Sequence, residues 1–117
     1  MRPFPNNFEL ESFFECEPKV QSEELPWAYN ELEFNSSSVN GELYTKMITG
    51  SEIMYIKWSQ KERNVMDLTL KGVLSLQLSE KDNYSTMVIQ FRSHETSDLI
   101  IKIRPYISIT WGYNDQQ

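Results

Sequence analysis

Five leucines occupy even positions in residues 67–78 (DLTLKGVLSLQL): Leu68, Leu70, Leu74, Leu76 and Leu78, with Gly72 alone breaking the row. The odd positions carry Thr69, Lys71, Val73, Ser75 and Gln77, mostly polar. A period of two places one side of an extended chain on a core and the other towards water, whereas a helix would scatter these leucines around its axis. The stretch therefore predicts a core β-strand, bent or bulged at Gly72. A tight hairpin turning at Lys71–Gly72 is the alternative.

The rest of the chain repeats the pattern. Met54, Ile56 and Trp58 alternate with Ile53, Tyr55 and Lys57; Met87, Ile89 and Phe91 fall on one face; Leu99, Ile101 and Ile103 on another; Ile107, Ile109 and Trp111 follow Pro105. Residues 42–48 read as a further strand, and 27–34 (WAYNELEF) as an edge strand. Polar segments punctuate them: 35–41 (NSSSVNG) with its Asn40–Gly41 hairpin signal, Thr49-Gly50-Ser51, 59–64, 79–83 and 93–97. About six strands joined by short turns imply an antiparallel meander, because connections of this length leave no room for crossover helices. The expected fold is mainly β: a single antiparallel meander forming a strongly curved sheet or partly open barrel. Near the N-terminus Leu10, Phe13 and Phe14 have helical spacing, with Asn6 or Asn7 as cap, which favours a short helical turn; Phe8, Leu10 and Ser12 also fit a short strand, which is the alternative.

With 117 residues, the chain is expected to be a single domain over 1–117, with an extended arm at 1–7 (Pro3 and Pro5) and a polar tail at 114–117. Apolar residues at 39% suffice for a core. The net charge of −6 disfavours nucleic-acid binding, which needs a basic surface, and favours a basic protein partner. That charge is localised. Residues 1–40 hold eight glutamates against Arg2 and Lys19, while the remainder is neutral overall. Cys16 is the only cysteine, so no intrachain disulfide forms. The longest aliphatic run, Leu99-Ile100-Ile101, is far short of the roughly 20 residues of a spanning helix. With no apolar leader in the first 20 residues, a cytoplasmic location away from membranes is expected.

Chemistry is poorly signalled. Cys16 lies between Glu15 and Glu17, whose carboxylates oppose thiolate formation, so a dyad with His94 lacks support. His94, Glu95 and Asp98 share one turn but fall short of a structural metal site, which wants about four ligands rich in Cys or His. Asp67 opens the leucine strand as a semi-buried acid or a strand-end turn partner, and no glycine-rich phosphate loop exists. No catalytic residue, metal site or cofactor is expected.

Binding is better signalled. Glu23, Glu24, Trp27, Tyr29, Glu31 and Glu33 interleave carboxylates with large aromatics, the arrangement of an interface with aromatic anchors and charged rims. The simpler reading has the aromatics capping the end of the sheet. A second cluster, Tyr106, Trp111 and Tyr113, suits either core packing or the mouth of a ligand-binding barrel.

Residues 58–78 carry a resemblance: Trp58, Asn64-Val65, then Asp67-Leu68, Leu70, Gly72-Val73, Leu76 and Leu78. This stretch resembles the central strand of small all-β immunity proteins from bacterial polymorphic-toxin and contact-dependent inhibition systems. The resemblance implies a single-domain cytoplasmic protein that neutralises one cognate toxin by binding it, with no catalytic residues. Together with the acidic first third, it leads to the expectation of an inhibitor masking a basic toxin domain, such as a nuclease. A small-molecule or lipid-binding barrel and a structural subunit of a homo-oligomer are the alternatives.

Overall fold

A computed structural model describes residues 4–22, 24 and 30–112. Among the described residues one α-helix, α1 (Asn7–Phe14), precedes nine strands: β1 (Lys19–Val20), β2 (Glu31–Ser38), β3 (Gly41–Ile48), β4 (Ile53–Gln60), β5 (Arg63–Leu70), β6 (Val73–Lys81), β7 (Tyr84–Phe91), β8 (Leu99–Arg104) and β9 (Ser108–Trp111). The antiparallel meander and the N-terminal helix are as expected. The meander, however, is divided between a five-stranded sheet, β1-β2-β3-β4-β5, and a four-stranded sheet, β6-β7-β8-β9, which do not close into a barrel.

The division falls at Lys71–Gly72, which is neither a bulge within one strand nor a hairpin turn. β5 pairs with β4 and β6 with β7, so the two residues carry the chain from one sheet to the other. Gly72 adopts φ +66, a left-handed conformation that costs glycine little. Its carbonyl accepts from Arg92 N (2.9 Å), and Val73 N donates to the Glu52 carbonyl (3.1 Å). Arg92 then clamps the Glu52 carboxylate through Nε (2.6 Å) and a terminal nitrogen (2.5 Å), and these hydrogen bonds hold that carboxyl below the usual range. Past the crossing, a bulge at Leu74 shifts the register, so Val73 is buried while Leu74 is only half-buried. The leucine row thus belongs to two strands in two sheets.

Three other boundaries differ from the sequence reading. β2 begins at Glu31 and runs through Asn35–Ser38, and it lies between β1 and β3 rather than at the sheet edge. The hairpin turn is Val39–Asn40, since Ser38 pairs with Gly41. The polar segments 59–64 and 79–83 are mostly strand. Their turns are the two-residue pairs Lys61–Glu62 (φ +45, +67) and Asp82–Asn83 (φ +53, +68), whose positive φ values match the twist of the flanking strands.

Inward faces of both sheets share one core, built from Leu32, Phe34, Leu43, Met47, Met54, Ile56, Leu70, Val73, Leu76, Met87, Ile89, Leu99 and Ile101, all at most 2% exposed. Helix α1 touches β2 and β6, one strand of each sheet, and adds Leu10, Phe13 and Phe14 to that core. Its start is fixed by a capping box: Asn6 accepts from Glu9 N (2.9 Å) while Glu9 accepts from Asn6 N (3.0 Å). Its end is tied by Arg104, which pairs with Glu15 and Glu80 and donates to the Ser12 carbonyl (3.2 Å). A second tie joins the sheets, where Asn40 Nδ2 donates to the Ile107 carbonyl (2.9 Å) and its Oδ1 accepts from Ile107 N (2.7 Å).

Candidate partner-binding face

Strand alternation sends every second side chain of the five-stranded sheet outwards, and pairing sets these side chains in rows. One row is Lys19, Glu33, Lys46, Tyr55 and Thr69; the next is Asn35, Tyr44, Lys57 and Asp67. Glu31 lies beyond Glu33 on β2. Adjacent strands stand about 4.8 Å apart, so charges of neighbouring strands are close enough to interact. Lys46 Nζ lies 3.9 Å from Glu31 Oε2, a long contact between side chains each about one-third exposed (30% and 31%). Partly exposed ion pairs of this kind contribute little to stability.

Tyr44 is held more firmly, its hydroxyl donating to Glu33 Oε1. Burial first, then this hydrogen bond and the charge of Glu33, push the Tyr44 hydroxyl up to about 12 from 10.0. The unfolded chain loses the phenolic proton near its ordinary value while the folded chain keeps it. The contribution of Tyr44 is therefore complete below pH about 10 and is lost as pH rises towards about 12. Alkaline unfolding followed by circular dichroism should show this loss, and Tyr44→Phe should flatten the profile over that window.

Of the six residues expected to bind a partner, Glu31 and Glu33 share this outer face, and Glu24 is exposed in the preceding loop. Glu23, Trp27 and Tyr29 lie outside the described residues. Asn30, 3% exposed, ties the two ends of that loop: its Oδ1 accepts from Gln21 N (3.0 Å), Ser22 N (3.2 Å) and Glu31 N (3.0 Å), and its Nδ2 donates to the Ser22 carbonyl (2.5 Å).

The acidic first third does not form one continuous flank. Glu9 is spent in the cap of α1 and Glu15 on Arg104, whereas Glu31 and Glu33 are on β2. Nor does the second aromatic cluster converge: Tyr106 is in the β8–β9 turn, Trp111 is at the far end of β9 stacked on Phe91 and bonded to the Ser97 carbonyl (3.0 Å), and Tyr113 lies outside the described residues. Asp67 is exposed in mid-strand opposite Lys57, neither semi-buried nor at a strand end. Among the described residues, no group of three or more His, Cys, Asp or Glu side chains is placed to hold a metal ion, and no helix is long and apolar enough to cross a membrane.

What sequence reasoning missed is the company these glutamates keep. Tyr44, Lys46, Tyr55, Lys57 and Asp67 surround a shallow depression of about 270 Å³ beside them. The alternation of 42–48 and 53–58 already sent these side chains outwards, but only strand register shows that they are neighbours.

No protein-family model matches the chain, and no curated protein does. Among solved structures, a chain of a contact-dependent growth inhibition toxin–immunity protein complex from Klebsiella pneumoniae 342 superposes with a TM-score of 0.76, covering 93% of this chain and 94% of that one at 19% identity. The two share a fold. The likeness runs over nearly the whole of both chains and is one of fold, consistent with an immunity-protein fold. At 19% identity it transfers architecture and no individual residue.

Proposed function

We propose that this chain is an immunity-type inhibitor, a bacterial cytoplasmic protein that neutralises a toxin domain by binding it and carries out no reaction of its own. The shared fold with a chain of a toxin–immunity complex is the observation that supports this reading most. The outer face of the five-stranded sheet supplies the docking surface, with Glu31 and Glu33 at its β2 side; Glu23, Glu24, Trp27 and Tyr29 precede β2 in the sequence and are assigned to the same contact. Against a basic toxin such as a nuclease, these carboxylates occupy the place of substrate phosphates, and the aromatics anchor the complex. Masking the substrate groove is then sufficient for inhibition.

Steering by carboxylates makes association sensitive to ionic strength, because added salt shortens the range over which charges act. In stopped-flow mixing with a toxin domain against which the chain protects growing cells, the association rate should fall at least about tenfold between 50 mM and 500 mM salt. A rate indifferent to salt removes the electrostatic part of the proposal.

A further inference from the structure

The outer face of the five-stranded sheet is striped rather than acidic. Glu31 and Glu33 are on β2, Lys46 on β3, Lys57 on β4 and Asp67 on β5, so across the middle of the face two lysines lie between carboxylates, with Lys19 on β1 and Glu42 at the start of β3 at its margins. Only the outer carboxylates nearest β3 are engaged: Glu33 by Tyr44 and Glu31, loosely, by Lys46. Lys57 and Asp67 face each other in register across β4 and β5, yet neither has an ion pair among the described residues. Tyr55, 37% exposed, and half-buried Tyr44 flank them around the depression. Rigid aromatic side chains beside uncompensated charges of both signs are what a specific protein interface uses, since tyrosines supply contact area and charge register excludes wrong partners.

We infer that this stripe is a charge-register docking surface, and that the toxin surface it fits presents a carboxylate towards Lys46 and Lys57 with basic side chains on either side of it. The inference rests on the inhibitor reading and goes further: a uniformly basic partner face would leave the two central lysines buried against like charge. The four-stranded sheet offers no such code. Its outward rows, Gln77, Val88, Ile100 and Thr110, then Ser79, Thr86, Lys102 and Ser108, then Lys81 and Tyr84, carry two lysines and no carboxylate. Size also favours the larger sheet. Its four eight-residue strands, β2 to β5, span about 14 Å by about 26 Å, or about 370 Å².

Calorimetric titration of an inactivated form of the toxin domain against which the chain protects growing cells tests the inference. All substituted residues are exposed in strands, and circular dichroism should confirm unchanged folding. Lys57→Glu and Asp67→Lys should each weaken binding by about 30-fold or more, while Lys102→Glu on the other sheet should stay within about twofold. If both variants bind within about threefold of the unaltered chain, the stripe is not the docking surface although the inhibitor reading stands. If Asp67→Lys strengthens binding, the partner is not basic there and the charge register is wrong. If the unaltered chain fails to bind, the inhibitor reading itself falls and the stripe falls with it.

Discussion

Gly41→Ala is expected to destabilise the protein by about 3 kcal/mol or more, among the largest effects of any single methyl addition in the chain. A Cβ at position 41 would stand 2.4 Å from the Ser59 carbonyl oxygen and 2.9 Å from Trp58 Nε1. The first of these is backbone of a paired strand and cannot swing aside. Gly41 also has φ +133, a conformation that residues with a Cβ rarely adopt. Relieving the clash means moving the β2–β3 turn, where the Asn40 carbonyl accepts from Trp58 Nε1 (3.2 Å) and Gln60 Nε2 (2.7 Å). The Asn40 side chain is the tie to Ile107, so the shift would reach the four-stranded sheet as well. For a chain of this size a loss of about 3 kcal/mol lowers Tm by more than about 10 °C. Gly50→Ala is the control, since nothing lies within 4 Å of its added Cβ. Its effect should stay within about 1 kcal/mol, and equal effects at the two glycines would contradict the packing described here.

Phe34→Ala is expected to cost about 3–5 kcal/mol, the range for removing a buried aromatic ring that its surroundings cannot replace. Phe34 is fully buried on β2 and stacks on Phe14 of α1, with centroids 4.4 Å apart and planes 19° from parallel. Phe14 in turn meets Phe13 edge-on at 5.0 Å. The cavity therefore opens where the helix meets the core, and the Ser36 hydroxyl bond to the Phe14 carbonyl (3.1 Å) is too little to hold it alone. Urea denaturation should show the full loss. Amide exchange of α1 should quicken more than that of β7 and β8, whose partners are unchanged. Phe34→Leu, which refills most of the volume, should lose less than half as much. If α1 exchanges no faster in Phe34→Ala, the helix is held by its capping box and Arg104 rather than by the ring stack.

The strand faces were legible because burial acts on alternate residues: Met54 and Ile56, Met87 and Ile89, Leu99 and Ile101 are all inward as their spacing predicts. The helix was only partly legible, since Phe8, Leu10 and Ser12 also alternate as a strand would; the capping box at Asn6 and Glu9 favours the helix. The division into two sheets was not, because alternation continues through Gly72 on the sequence although the chain there changes pairing partners. What sends it across is distant: the Glu52 carbonyl and the Arg92 amide bind the two polar groups of the Gly72–Val73 peptide. Turns were misplaced where polarity was read as loop. Residues 59–60 and 79–81 are polar because their strands are at solvent-facing ends, and the true turns contain no glycine to announce them. On the candidate face, the sequence displayed Glu31 and Glu33 but not their neighbours. A charge run is local in sequence; a charge stripe is a property of register, and needs four paired strands to exist.

The central claim is that this chain acts by occupying its target. Titrating it into a fixed amount of active toxin domain, well above the dissociation constant, tests that claim most directly. Occupation predicts that toxin activity falls in a straight line and reaches zero at one equivalent of chain, independent of incubation time once binding is complete. Complete loss of activity at a small fraction of an equivalent, deepening with time, would mean that the chain destroys the toxin or reverses its product by turnover, and would contradict the account.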